Sequence, residues 1–331
     1  MKEVLWIGEE QVAANVSLAE AIDIVQQGFE EQARGEIVVL EKSHVAFSGG
    51  SLHAVGAVSA ASGLAAAKTW TYASGAAEPL LAIFDAGSGG LCAVVEASAL
   101  SLLRTAAVCA VATRWLAPPD ASELALIGTG RQAFAQVAAV AHVRRLRRVR
   151  VFSPNPAHRQ ALAAQLRSEL RRDVLDAGSV AQAVAGAPIV TLATRATAPI
   201  LEAAALAGAA HVNAIGAISP ERAEIARDVL ERAQRVVVDD VPAARGLSRE
   251  LGEFFGGSDA SWKAVETLAQ VVAQRRPPRE GGLTLFKAMG TGVADLALGV
   301  EVLHRVRRAG GGREIAERSR MRPRLLPGGL D

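Results

Sequence analysis

The chain is short of sulfur, aromatic side chains and lysine. Its two cysteines, Cys92 and Cys109, stand in apolar segments of a 331-residue sequence. Two thiols cannot make a zinc site alone, and their surroundings predict buried free thiols rather than a disulfide framework. No metal site is expected. Aromatics make up 4% of residues and the net charge is only +2, so neither a nucleic-acid surface nor an acidic ligand is implied by bulk composition. The first residues, "MKEVLWIGEEQV", carry glutamates where a signal peptide needs an apolar run. No uncharged apolar stretch reaches the length of a membrane span, so a cytoplasmic location without a membrane partner is expected. The only lysines are Lys2, Lys42, Lys68, Lys263 and Lys287. With alanine so abundant, that scarcity reads as coding bias rather than function.

What is present fits a globular protein with a large core: half of the residues are apolar and 21% are charged. The length suits two ordinary domains. Residues 18–34 have helical apolar spacing and end at Gly35, a C-cap. "EIVVLEKSHVAF", "SLHAVGAVSA", "LAAAKTWTY" and "LLAIFDAGSGGLCAVVE" read as strands, the last with a turn at Asp85–Gly90. A helix follows over 97–117, stopped by Pro118 and Pro119. From Ser122 onward short apolar strands alternate with Ala-rich helices. "ELALI" leads into a helix over 131–143, and "RVRVF" into one over 156–171 that carries Pro156 near its start. "PIVTLA", "AHVNAIG", "RVVVDD" and "LTLFKAMG" are further strands, the last preceding a helix over 292–308. Strands apolar along their whole length, alternating with helices, predict a parallel sheet covered on both faces. The last residues, rich in Gly, Arg and Pro, read as a loose tail.

The turn "LALIGTGRQAFAQ" joins the first strand and helix of the alternating unit. Gly128 and Gly130 suit a phosphate-binding turn, in which a pyrophosphate sits on free N–H groups at a helix N-terminus. Ala133 replaces the third glycine of that fingerprint, where a small side chain suffices for helix–strand packing. The second strand ends at Ser153, 25 residues after Gly128, where an NAD-binding sheet usually presents a carboxylate to the ribose. Ser153, with Asn155, His158 and Arg159 close behind, removes the repulsion of a 2′-phosphate and offers it a cation. NADP(H) is therefore favoured, with NAD(H) the other possibility. The basic run "RRLRRVR" over 144–150 reads as a solvated helix end.

Lys68 in "GLAAAKTW" and Arg104 in "SLLRTAAV" are charges in otherwise apolar segments. Each either points outward from a half-exposed element or faces a cleft. In a cleft, Arg104 would clamp a carboxylate and Lys68 would donate a proton.

The segments "VGAVSAASGLAAAKTW", "SLLRTAAVCAVATRWLA", "LALIGTGRQA", "HVNAIGAISPERAEI" and "LFKAMGTGVADLALGVEVL" resemble, in order and spacing, the ornithine cyclodeaminase/mu-crystallin family over nearly the whole chain. The resemblance implies an α/β fold, a Rossmann-type doubly wound parallel sheet plus a strand-rich α+β substrate and dimerisation domain, assembled as a homodimer. Residues 1–117 would form the latter, rejoined by a helix over 290–310. Residues 118–289 would bind the cofactor, and 311–331 would be the tail. Lys68 matches the family's active-site lysine and Arg104 its carboxylate-binding arginine. Gly128, Gly130, Arg131 and Gln132 match its pyrophosphate turn; Thr194 and Gly216 complete the expected cofactor set. A further substrate-binding arginine of the family has no counterpart here, and Lys42 or His44 is the nearest candidate. Cyclodeaminases carry an aspartate where this chain has Ile218. An aliphatic side chain there resembles the ketimine and pyrroline-2-carboxylate reductases, which share Glu224 in the pattern Gly-Ala-x-x-Pro-x-x-x-Glu. The expected activity is NAD(P)H-dependent reduction of imines of 2-oxo acids, acting on a small imino or amino acid. Ornithine cyclodeaminase or amino-acid dehydrogenase activity, or a non-catalytic NADP-dependent binding role, are the alternatives.

Overall fold

Two sheets divide the chain in the computed structural model, which describes residues 3–206, 210–276 and 281–315. The first sheet begins with Val4–Ile7 (β1), Ile37–Phe47 (β2), Gly50–Ser59 (β3), Leu64–Ala73 (β4), Leu80–Asp85 (β5) and Leu91–Glu96 (β6). The second holds Glu123–Ile127 (β7), Arg148–Phe152 (β8), Asp173–Asp176 (β9), Ile189–Leu192 (β10), Ala210–Ala214 (β11), Ala233–Val238 (β12), Val265–Thr267 (β13) and Leu283–Lys287 (β14). Arg313–Ile315 (β15) then returns to the first sheet, antiparallel to β1. This corrects the expected loose tail for its first residues; residues 316–331 lie outside the described ones.

The first sheet runs β15-β1-β6-β5-β4-β3-β2. The turn between β5 and β6 is closed by Asp85, whose Oδ1 accepts the Ser88 amide at 2.7 Å and the Ser88 hydroxyl at 2.8 Å. Side chains alternate across the strands. One face carries Ile37, Val55, Ala57, Lys68, Leu81 and Ile83, all buried apart from the polar tip of the sheet. Helices Leu18–Ala33, Ser98–Leu116 and Gly292–Arg308 cover it. Ser17 starts the first of them with a capping box to Glu20, and Gly35 closes it at φ 77°. The opposite face leaves Val38, Leu40, Val45, Phe47, Leu52 and Val58 exposed.

The second sheet is parallel throughout, in the order β13-β12-β14-β11-β10-β7-β8-β9. Strand order reverses between β7 and β10, which opens a crevice at their carboxyl ends. β10 and β11 are buried along their whole length, as a sheet covered on both faces requires. The short strands β9, β13 and β15 carry no apolar run, and β1 (VLWI) is too short a run to mark a strand alone.

Helix Ser98–Leu116 is long and apolar enough to cross a bilayer, yet Ala106–Thr113 is buried without a break in the core between the sheets. Its C-terminus is held by Arg144. That guanidinium donates to the carbonyls of Thr113, Arg114, Ala117 and Pro118 at 2.7–3.1 Å. The basic run is therefore not a solvated helix end throughout. Arg144 is 9% exposed, and Arg148 and Arg150 pair with Asp173 and Glu123. A second tie is a buried polar chain. Asn213 donates to Thr113 Oγ1 at 2.9 Å, His211 bridges Asn213 and Thr284, and Thr284 donates to Leu116 O. Burial pushes the His211 imidazole down to about 3, so it stays neutral in this chain.

Both cysteines are free and buried, as their apolar segments predicted.

Candidate active site

The chain returns from the second sheet to the first through residues 288–291, and this passage builds the floor of a cavity. Gly290 adopts φ 89°, and a Cβ at Gly292 would collide with the Gly56 carbonyl. Glycine is needed at both positions. Thr291 caps helix Gly292–Arg308, and Asp295 in its first turn is 1% exposed. Lys68, on the helix-covered face of β4, reaches Asp295 Oδ1 at 2.5 Å and Ser101 Oγ at 3.2 Å. Arg104, from helix Ser98–Leu116, brings Nε to 3.5 Å of the same carboxylate oxygen. The two charges singled out in apolar segments thus meet on one buried acid.

Lys42 joins them by way of an irregularity. Leu40 pairs with Gly56 and Ser43 with Ala54, so residues 41 and 42 together face Val55. This bulge turns Lys42 toward the cavity, where Nζ donates to Met289 O at 2.6 Å. His44 takes no part in the lining; it packs against His53 at 4.8 Å. Trp70 lies parallel to His53 at 4.8 Å and receives the Lys68 ammonium 5.2 Å from its centre. The cavity is closed by Val55, Thr105, Val108, Ile215, Ile218 and Asp239, among others. Ile218 therefore lines it with an aliphatic wall. Asp239 is committed elsewhere: its oxygens accept the amides of Met289 at 2.7 Å and Gly290 at 2.8 Å.

Lys42 and Arg104 line the cavity with Asp239, and Lys68 stands behind Arg104 on their shared acid, Asp295. Burial, then Arg104, pulls the Lys42 and Lys68 ammonium groups down to about 8, opposed at Lys42 chiefly by Asp239 and at Lys68 by Asp295. Such a site attracts a small anion with an apolar body, and it holds a proton that a lysine can release near neutral pH.

The crevice beside it carries the glycine turn. Gly128 adopts φ 111°, and a Cβ there would strike the Ala193 carbonyl at the end of β10. A Cβ on Gly130 would meet nothing within 4 Å. Helix Ala133–Val143 begins two residues later than its apolar spacing indicated, with Gln132 at its N-cap. Among the described residues, the amides of residues 129–132 donate to no protein acceptor. Arg131 is exposed, and Ala133 packs on Leu124 and Leu126. An open cradle of N–H groups beside a bare glycine fits a dinucleotide pyrophosphate.

At the end of β8, Ser153 is 7% exposed. Asn155 caps helix Pro156–Leu170, its Oδ1 accepting from Ala157 N at 3.0 Å and His158 N at 3.3 Å. That oxygen is thus spent on the helix. Arg159 folds back, donating to Ser153 O at 2.8 Å and pairing with Asp176 at the end of β9. Thr194 and Gly216, after β10 and β11, converge on Glu224.

The sequence reading missed Asp295, Asp239, Glu250 and Lys287. The test applied to Lys68 and Arg104, a charge in an apolar run, finds Asp295 in "TGVADLALG" and Lys287 in "LTLFKAMG".

Three comparisons bear on the site. The family model described as "Ornithine cyclodeaminase/mu-crystallin family" matches residues 3–310. Ketimine reductase mu-crystallin of Rattus norvegicus is 31% identical over 214 residues, 65% of this chain and 65% of that protein, a little under two thirds of its length. Delta(1)-pyrroline-2-carboxylate reductase of Bacillus cereus is 28% identical over 239 residues, 71% of this chain and 73% of that protein. The Thermococcus litoralis Delta(1)-pyrroline-2-carboxylate reductase, solved in complex with NADH and L-proline, shares the fold. Its TM-score is 0.88 at 22% identity, over 94% of this chain and 100% of that one.

The lysines set a pH dependence. Their charged forms attract an anion and are lost as pH rises through about 8. Calorimetric titration with a small 2-oxo acid such as pyruvate is expected to give weaker binding at pH 9.5 than at pH 7. Arg104→Gln weakens it by about ten- to a hundredfold at both values, the worth of a charge-assisted hydrogen bond. Affinity that is flat with pH would take the lysines out of anion binding.

Proposed function

The chain belongs to the ornithine cyclodeaminase/mu-crystallin family, and from that premise we propose that it is an NAD(P)H-dependent reductase of imines of 2-oxo acids. The observation that carries this reading is a cavity walled by Ile218 and lined by Lys42 and Arg104, with Lys68 joined to Arg104 on the Asp295 carboxylate. Arg104 and Lys42 hold the substrate carboxylate. Lys68, oriented by Asp295 and Ser101, keeps a proton at Nζ for the nitrogen. The nicotinamide, when bound along the crevice, supplies the hydride equivalent that reduces the carbon of the C=N bond. Fixing the carboxylate sets that carbon in place, which lowers the entropic part of the barrier. Gly128, Gly130, Arg131 and Gln132 take the pyrophosphate, and Thr194 and Gly216 border the nicotinamide half.

Cyclodeaminase chemistry needs a carboxylate free to hold the substrate amine. Ile218 offers none, and each oxygen of Asp239 already accepts one backbone amide of the cavity floor. A panel of pyrroline-2-carboxylate, piperideine-2-carboxylate and pyruvate with alkylamines tests the assignment. One NADPH or NADH is expected to be oxidised per amine formed, with negligible ammonia released from ornithine. Ornithine turned into proline and ammonia without net cofactor change would replace the reductase reading.

We also infer a homodimer formed through residues of about 1–115, in line with the uncovered apolar side chains Val38, Leu40, Val45, Phe47, Leu52 and Val58 on the outer face of β2 and β3. Light scattering at micromolar concentration is expected to return twice the chain mass of 34.4 kDa; a monomer mass would contradict it.

Cofactor choice follows from Arg159. Ser153 brings no charge against a 2′-phosphate, and Arg159 stands beside it. Asp176 shares that guanidinium, so the preference for NADPH over NADH is about tenfold, at the low end for a charge-assisted bond. Fluorescence titrations with both cofactors are expected to give that ratio in the native protein and near equality in Arg159→Ala. Equal native affinities would end the NADP(H) preference, and an unchanged ratio in the variant would take the role from Arg159.

A further inference from the structure

Behind the crevice lies a second buried ionic network, which the chemistry above does not use. Glu224 is 0% exposed and sits in the segment after β11. Its Oε1 accepts Thr194 N at 2.8 Å and Thr194 Oγ1 at 2.9 Å. Its Oε2 accepts Gly216 N at 2.8 Å and Ala217 N at 3.1 Å. One carboxylate therefore clamps the strand ends of β10 and β11 together. The clamp is itself held. The Glu224 carbonyl accepts the amides of Ile200 and Leu201, each at 3.0 Å. Its amide and that of Ile225 donate to Glu250 Oε1 at 2.6 and 3.1 Å. Glu250 in turn pairs through Oε2 with the fully buried Lys287 at 2.6 Å. A Cβ on Gly216 would collide with both the Thr194 carbonyl and the Glu224 carboxylate.

The position of this clamp gives it a consequence. Ile215 and Ile218, on either side of the clamped Gly216 and Ala217, line the cavity with Lys42 and Arg104. The pyrophosphate turn follows β7 and the adenosine end lies past β8, so the strand ends of β10 and β11 face the other half of a dinucleotide. An acceptor-only group with both oxygens filled by donors is specific in shape. Replacing one oxygen by an amide turns an acceptor into a donor facing N–H groups.

We propose that Glu224 is a positioning residue for the nicotinamide half of the cofactor, fixing the Thr194 and Gly216 loops through the Glu250–Lys287 pair. This rests on the dinucleotide reading above, and it adds a claim that reading does not make: Glu224 affects one half of the ligand only. The adenosine end past β8 touches none of these groups, and the pyrophosphate turn meets them only where Gly128 approaches Ala193 and Thr194.

The experiment compares two probes by calorimetry and cofactor fluorescence. NADH and NADPH carry the nicotinamide; ADP-ribose and its 2′-phosphate carry only the adenosine, pyrophosphate and ribose. Glu224→Gln is expected to weaken the full dinucleotides by about ten- to a hundredfold, as for a buried hydrogen-bonding group left unpaired. The nicotinamide-free probes should lose several-fold less than the full dinucleotides, because, of their contact residues, only Gly128 lies against the clamp. Glu224→Asp keeps the charge but is too short to hold both loops, and the same split is expected should the glutamine variant fail to fold. Equal loss of both kinds of probe, or no loss in a folded variant, would overturn the proposal while leaving the cofactor reading standing. A native protein that binds no dinucleotide would overturn both.

Discussion

The shared carboxylate of Asp295 is the constraint on which the site depends. Lys68 and Arg104 both lie against it, at 2.5 and 3.5 Å, in surroundings that leave the acid 1% and the lysine 2% exposed by side chain. An ammonium buried alone would discharge, because the low-dielectric interior disfavours the charged form. A carboxylate at contact distance restores it, although only in part, since Arg104 competes for the same oxygen. The result is a site with more positive charge than its own acids neutralise. Removing Asp295 would leave two uncompensated cations, the arrangement that costs most in a buried pair. An anionic ligand completes the neutralisation that the protein leaves unfinished.

Asp295 can stand there only because the chain comes back from the second sheet in a tight passage. β14 delivers Lys287 to one side and residues 288–290 to the other. On one side Lys287 meets Glu250, which braces Glu224 and the strand ends that border the crevice. On the other, Met289 and Gly290 give their amides to Asp239, and Met289 gives its carbonyl to Lys42. One strand end therefore ties the crevice to the anion cavity through two separate polar networks. The close approach of Gly292 to Gly56 then sets the helix that carries Asp295 directly on the first sheet. Relative placement of crevice and cavity is a matter of backbone passing backbone, so it tolerates little change in side-chain volume.

Much of this was legible because the physics is local. Strands buried on both faces give largely apolar runs, which is why β7, β10 and β14 stand out by eye, whereas β8 alternates arginine with apolar residues. Gly128 was readable because a turn after such a strand, ahead of a helix, demands its φ. What escaped depends on distant partners. β1 lies between β6 and β15, both more than eighty residues further along the chain, and its four apolar residues are too few to mark a strand on their own. Arg144 sits in a basic run that resembles solvated surface, and only the end of a helix some thirty residues earlier gives it four carbonyls to satisfy. Asn155 caps its own helix through Oδ1, a role its position before Pro156 allows, and its amide nitrogen is left as a donor.

The scarcity of lysine, set aside at first as coding bias, becomes informative once the fold is known. A chain that supplies nearly all its cations as arginine keeps lysine at 42, 68 and 287, all three in the networks around the crevice, while Lys263 is exposed. The two cations differ in what burial does to them. A guanidinium holds its proton in any protein environment, so Arg104 can serve as a permanent anchor for an anion. An ammonium gives way, and Lys42 and Lys68 come down to about 8. A cavity lined with arginine alone would bind an anion and have no proton to give it. With lysine at 68 the same electrostatic field that draws in a carboxylate also loosens a proton beside it. At position 42 a lysine gives the cavity a compact charge rather than a forked clamp, and the carbonyl of Met289 holds it in place.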